Sequence, residues 1–210
     1  MSVELLLVRH GESEGNAAGA FTGHSPSPLT ARGRAQAAAV GRALAAEGAA
    51  LTALYSSDLV RAVQTAEELL AAMGPLGAGV TIERRPGLRE RAMGQWEGMS
   101  FRELEATDPA GWLALRARAL DHCPPGGETH RACGARVAAA VAALCAGHRA
   151  GRVVVVSHGV AIHHMLRHLL GVHDEAVRFV VDNCSVQRLS LEAGGVRAVD
   201  LNDTRHLREG

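Results

Sequence analysis

Residues 3–8 form a nearly continuous β-prone apolar run that stops at Arg9, His10 and Gly11, and residues 153–156, four valines, stop in the same way at Ser157, His158 and Gly159. A strand that is apolar on both faces belongs in the interior of a parallel sheet covered on both sides. Each run therefore ends by presenting a histidine at the carboxyl edge of a sheet, where open α/β sheets place their ligands. The glycine that follows each histidine lets a ligand approach the backbone closely. One such end is readily explained as packing or capping; two matching ends point to a shared site.

Between these runs, strand and helix signals alternate. A polar, glycine-rich loop follows to about residue 28, and Thr30 caps a helix predicted through residue 47, ended by Gly48. Leu54 and Tyr55 make a short strand, residues 56–58 a turn, and residues 59–73 a helix. Residues 80–83 read as a strand and residues 86–98 as an irregular segment dense in charge and glycine. Helices are predicted at 101–106, 112–120, about 129–148 and 160–170, and late strands at 178–181, 186–191 and 196–201. The alternation predicts one α/β domain spanning the chain, with a mostly parallel central sheet.

The charge balance limits what such a domain meets. The 22 basic residues, all arginine, are matched by 22 acids, so no molecule-wide field attracts nucleic acid or a membrane surface, and any anion site must be local. No segment reaches the roughly 18 apolar residues needed to span a membrane, and the N-terminus lacks the basic segment and cleavage site of a secretory leader. Cys123, Cys133, Cys145 and Cys184 show no paired spacing for a metal or a disulfide framework. A reduced, cytoplasmic protein is the expectation. His164 and His168 share a helical face, yet no third ligand is identifiable, and a hydrated or half-buried face explains them more simply.

Two further residues join the histidines as candidates. Arg61, near the start of the 59–73 helix, would bring a guanidinium to a helix N-terminus that already favours anions; alone, it is equally an ordinary solvated arginine. Glu90, in the irregular segment, is placed to hand a proton to a leaving oxygen, although a salt bridge to Arg89 or Arg91 would account for it as well.

The blocks LLLVRHGESEGN, FTGHSPSPLTARGRAQA, YSSDLVRAVQTAE, LRERAMGQWEG, PGGET and VVVVSHGVAIHHML, running in that order from residue 5 to about residue 170, resemble the successive motifs of the histidine phosphatase, or phosphoglycerate mutase-like, superfamily. The resemblance implies a three-layer α/β/α sandwich with His10 as nucleophile. Arg9, Arg61 and His158 then form the pocket for the phosphoryl oxygens, and Glu90 is the proton donor. Asn16, Thr22, Gly23 and Gly159 fall at positions that contact phosphate or substrate. That set suits phosphoryl transfer, in which negative charge on three equatorial oxygens must be balanced around an in-line attack, so neither a metal nor a cofactor is expected.

Within that resemblance the phosphatase branch fits better than the mutase branch. The chain has no lysine, Arg116 and Arg118 are not adjacent in the interval where mutases carry a neighbouring arginine pair, and Ala92 and Met93 stand where mutases carry a tyrosine. Val160 follows Gly159 where mutases prefer asparagine. The expected partner is a small phosphate monoester: a sugar phosphate, a phosphoglycerate-like compound or a nucleotide-pathway compound. A cofactor-dependent mutase and a non-catalytic phosphate-binding relative are the alternatives. Substrate contacts by Phe21, His24, Phe101, Trp112, His163 and the tail at 202–207 are open, as is assembly into a homodimer.

Overall fold

A computed structural model describes residues 2–117 and 119–208 of the chain. Its six strands are β1 (Val3–Arg9), β2 (Leu51–Ser56), β3 (Ile82–Arg84), β4 (Gly151–Ser157), β5 (Val186–Glu192) and β6 (Gly195–Asp203), and they lie in the order β3-β2-β4-β1-β5-β6. The β3-β2, β2-β4 and β4-β1 pairs are parallel, and the β1-β5 and β5-β6 pairs antiparallel. The two apolar runs are thus the central neighbours β1 and β4.

Alternation along these two strands divides the core into two layers. Leu5 and Leu7 of β1 and Val153 and Val155 of β4 pack with α6 (His130–Ala146) and α7 (Gly159–Leu169) through Val137, Val141, Ile162 and Met165. Leu6, Val8, Val154 and Val156 face the other way, onto α2 (Ala31–Ala46) and α3 (Val60–Met73) through Val40, Leu44, Ala66 and Leu69. The result is the expected three-layer sandwich. Each of these fully buried leucines and valines contributes about 1.5–3 kcal/mol relative to an exposed one, so both faces of the sheet are anchored and the carboxyl ends of β1 and β4 are held in fixed register.

The expected helices form near their predicted limits because their caps are in the sequence. Thr30 accepts from the Gly33 amide at 3.0 Å and Thr129 from the Ala132 amide at 3.0 Å. Two predictions are corrected. The helix expected at 112–120 is α5 (Pro109–Arg116), started by Asp108 accepting from the Gly111 amide with Pro109 in the first turn; Arg118 lies outside the described residues. The strand expected at 178–181 does not form. Its backbone groups are bound to side chains instead: the Phe179 amide to His163, and the Val181 carbonyl to Arg9.

Of two short helices, one lies in the expected loop and the other where a helix was expected. A four-residue helix, α1 (Glu14–Ala17), forms in the loop after β1, and α4 (Phe101–Thr107) is capped by Ser100 and Glu103. Together with α5, α4 carries a small separate cluster of Met93, Trp96 and Leu104, against which Phe21, Met99, Trp112 and Leu115 pack. No described helix is long and apolar enough to cross a membrane.

Candidate active site

Arg9 and Ser157 are register partners at the ends of β1 and β4, so His10 and His158 are the next residues on two adjacent strands. Their rings lie 5.1 Å apart. Both are buried, at 3% and 0% exposure. His10 Nδ1 is 2.7 Å from the Gly11 carbonyl oxygen, an acceptor, so Nδ1 carries the proton and Nε2 presents its lone pair. Arg61 Nε–H meets that lone pair at 3.3 Å. Burial, then the Arg61 and Arg9 charges, hold His10 well below the ordinary histidine range, and burial followed by Arg61 does the same for His158. Both rings are therefore neutral at neutral pH.

Arg61 is fully buried despite its place on a helix. Its Nη2 donates to the Gly23 carbonyl at 2.7 Å and its Nη1 to that of Ser25 at 3.5 Å, so the loop between α1 and α2 wraps the guanidinium. Gly23 has φ of +44°, a left-handed conformation that glycine adopts without strain. Arg9 Nη1 donates to Val181 at 2.6 Å, while its buried Nε has no partner in the protein. Nδ1 of His158 is also buried and unpartnered, its Nε2 lying 2.8 Å from Ser57 Oγ. Unmatched buried polar atoms are rare in folded proteins, and each calls for a specific explanation.

Glu90 pairs with neither neighbouring arginine. Arg89 forks onto Asp58 at 2.7 and 2.5 Å, while the Glu90 carboxylate accepts from the amides of Arg91, Val160 and Ala161 at 2.9, 3.1 and 3.2 Å. The last two belong to the N-terminus of α7, immediately after His158, where the helix dipole attracts a carboxylate. Asn16 Oδ1 accepts from the Ser13 amide and from Asn183 Nδ2, which leaves its amide protons as the group it can offer an anion.

Arg9, Thr22, Gly23, Glu90 and Gly159 line a cleft of about 990 Å³ whose walls also include Phe21, Phe101, His163 and Phe179. Trp112 is not part of that wall; it packs against Phe101 and under Arg116. His24 donates from Nε2 to the Glu90 carbonyl at 2.7 Å. The tail turns away: His206 contacts the Cys184 carbonyl and Leu207 packs on the α2 side, although Asn202 bonds Asp182 in the cleft wall. His164 lies against His130, 3.4 Å between ring nitrogens, and among the described residues no group of three potential ligands is arranged to hold a metal.

Three supporting residues escape sequence reasoning. Thr65 Oγ1 accepts from the Gly11 amide at 3.0 Å and donates to the Arg61 carbonyl at 2.7 Å; its position four residues after Arg61, on the same helix face, was the available signal. Ser57 reads only as a turn residue, and Asn183, which donates to the His10 carbonyl at 2.9 Å, is distant in sequence from everything it holds.

The match to known proteins covers nearly all of this architecture. Residues 5–204 fit the family model of the histidine phosphatase superfamily, branch 1. The chain belongs to that superfamily. It is 34% identical to "Probable phosphoglycerate mutase GpmB" of Salmonella choleraesuis over 98% of this chain and 95% of that one. Among solved structures it is similar to the alpha-ribazole phosphatase of Shigella flexneri, with a TM-score of 0.81, 27% identity and coverage of 95% and 96%. It is also similar to the mycobacterial glucosyl-3-phosphoglycerate phosphatase, with a TM-score of 0.81, 26% identity and coverage of 96% and 99%.

Proposed function

We propose that this histidine phosphatase superfamily member hydrolyses a small phosphate monoester through a phosphohistidine at His10. The observation that carries the reading is the buried Arg61 guanidinium 3.3 Å from His10 Nε2, with the His158 ring 5.1 Å from that of His10 and two buried groups, His158 Nδ1 and Arg9 Nε, that have no partner within the protein. In this reading the phosphoryl oxygens complete those bonds, and the low-dielectric setting strengthens each of them. Thr22, Gly23 and Gly159 line the adjoining cleft with Arg9 and Glu90, and Asn16 is tied through Asn183 to the His10 carbonyl.

In the first step His10 Nε2 forms a bond to phosphorus as the ester P–O bond breaks, and Glu90 gives its proton to the departing alcohol. In the second, water attacks the phosphohistidine, Glu90 takes the proton, and inorganic phosphate leaves with His10 restored. Arg9, Arg61 and His158 bear the charge on the equatorial oxygens in both steps. The cleft volume lies at the upper end of small-molecule pockets, which suits an alcohol larger than a three-carbon acid.

The mutase name of the Salmonella relative is the observation that favours a second reading. The absence of any lysine and Val160 after Gly159 weigh against it. The test is phosphate release from a panel of aryl phosphate, 3-phosphoglycerate, sugar phosphates, nucleoside monophosphates and ribazole phosphate, with His10→Ala in parallel and 3-phosphoglycerate isomerisation followed separately. Release lost in the variant supports the phosphatase. Isomerisation without net release supports the mutase and overturns the hydrolytic reading.

A further inference from the structure

The segment carrying Glu90 is irregular, and its carbonyls lack the ladder partners that a strand would supply. One side chain from α6 takes that role. Arg136 Nη1 donates to the carbonyls of Gly87 and Arg89 at 3.0 and 2.9 Å, and Nη2 donates to that of Glu90 at 3.1 Å. Its Nε and Nη2 also fork onto the Glu128 carboxylate at 3.0 and 2.7 Å, so all five guanidinium protons have acceptors. Nη2 lies 3.5 Å from Cys133 Sγ as well. Glu128 in turn accepts from the Ala92 amide at 3.4 Å.

The pair thus grips the chain on both sides of residue 90. His24 also donates to the same Glu90 carbonyl, and Glu97 ties the His24 and Met93 amides together at 2.8 and 3.1 Å. The pair is mostly shielded, with side-chain exposures of 26% and 17%. Its guanidinium geometry is not reproducible by lysine, which offers three donors from a single point. A proton donor displaced by about 1 Å loses most of its effect.

We infer that the Arg136–Glu128 pair is a positioning device for Glu90, setting the angle at which its carboxyl faces the leaving oxygen. The inference rests on the reading of Glu90 as the proton donor. It makes Arg136 a positioning residue whose loss shows the signature of losing Glu90, since a merely structural arginine would affect every substrate alike.

The experiment compares kcat/KM for glycerol phosphate, whose alkoxide needs a proton, with that for p-nitrophenyl phosphate, whose phenolate needs little. Because kcat/KM reports only through the first irreversible step, a shared dephosphorylation step does not mask the difference. The variants are Glu90→Gln, Arg136→Lys, Glu128→Gln and the double variant Glu90→Gln/Arg136→Lys. Glu90→Gln is expected to lose about 10²–10⁴-fold on the alkyl ester and less than about tenfold on the aryl ester.

Arg136→Lys is expected to lose at least about tenfold more on the alkyl than on the aryl ester, Glu128→Gln to shift the same way by less, and the double variant to be no more selective than Glu90→Gln alone. Selective loss in Glu90→Gln beside equal losses in Arg136→Lys, or an additive double variant, overturns the positioning role while leaving Glu90 in place. Equal losses in Glu90→Gln overturn both. Should Arg136→Lys fail to fold, Glu128→Gln decides alone, equal losses on the two esters overturning the inference.

Discussion

Replacing Thr65 by valine removes one hydroxyl and nearly nothing else, which makes it a clean measure of how the His10 turn is held. Thr65 is fully buried, and valine keeps its shape, so no cavity opens. The Gly11 amide, 3.0 Å from the hydroxyl oxygen, is then left buried without an acceptor. The Arg61 carbonyl loses a hydroxyl donor at 2.7 Å but keeps its helical partner in α3. An orphaned buried N–H costs about 1–3 kcal/mol. For a chain of this length each kcal/mol lowers Tm by about 2–4 °C, so ~2 kcal/mol corresponds to ~4–8 °C. Thermal melts followed by circular dichroism at one pH and one protein concentration measure this directly, with Thr65→Ser as the control that restores the hydroxyl. A Thr65→Val melt within about 1 °C of wild type, or an equal loss in the serine variant, refutes the reasoning.

Acid lability provides a second check. His10, His158, His164 and His206 are all held below the ordinary histidine value by burial, His164 to about 4. The unfolded chain therefore binds protons that the folded chain refuses as pH falls below about 6.5, and acid favours unfolding. Urea midpoints should decline from pH 7 to pH 5, less steeply in His158→Asn; a midpoint at pH 5 equal to that at pH 7 contradicts the burial account. Gly11→Ala should impair both folding and phosphate release, because a Cβ there collides with the Gly33 carbonyl at the start of α2; wild-type stability in that variant would show that the loop and helix do not touch as described.

How much of this was legible beforehand depended on where the partners lay. The apolar runs at 3–8 and 153–156 foretold β1 and β4 because burial on both faces leaves a continuous apolar pattern, and the histidine at each end followed. The helix begun by Thr30 was readable from its own cap. The 178–181 segment misled because Val180 and Val181 carry strand propensity, while its backbone groups bond to His163 and Arg9, which propensity does not record. The 112–120 helix was placed late because its start lay in Asp108 and Pro109, a local signal passed over.

Burial changed the character of two candidate residues. Arg61 looks from sequence like any helix arginine, and only the loop that folds over it, through the Gly23 and Ser25 carbonyls, makes it a buried cation beside His10. Glu90 looked equally like a partner for Arg89 or Arg91, yet Arg89 turns to Asp58 and the carboxylate seats on the first amides of α7. The roles of Arg136 and Asn183 were invisible for a simpler reason: each acts on backbone far from it in sequence, and no local pattern encodes such a contact.

The most direct test of the central claim is to trap the phosphoryl group on the protein. Rapid mixing with a ³²P-labelled monoester, denaturing quench and peptide mapping should give an acid-labile, alkali-stable label on His10 that is absent in His10→Ala. A label on another residue, or turnover in His10→Ala at the wild-type rate, would contradict the account.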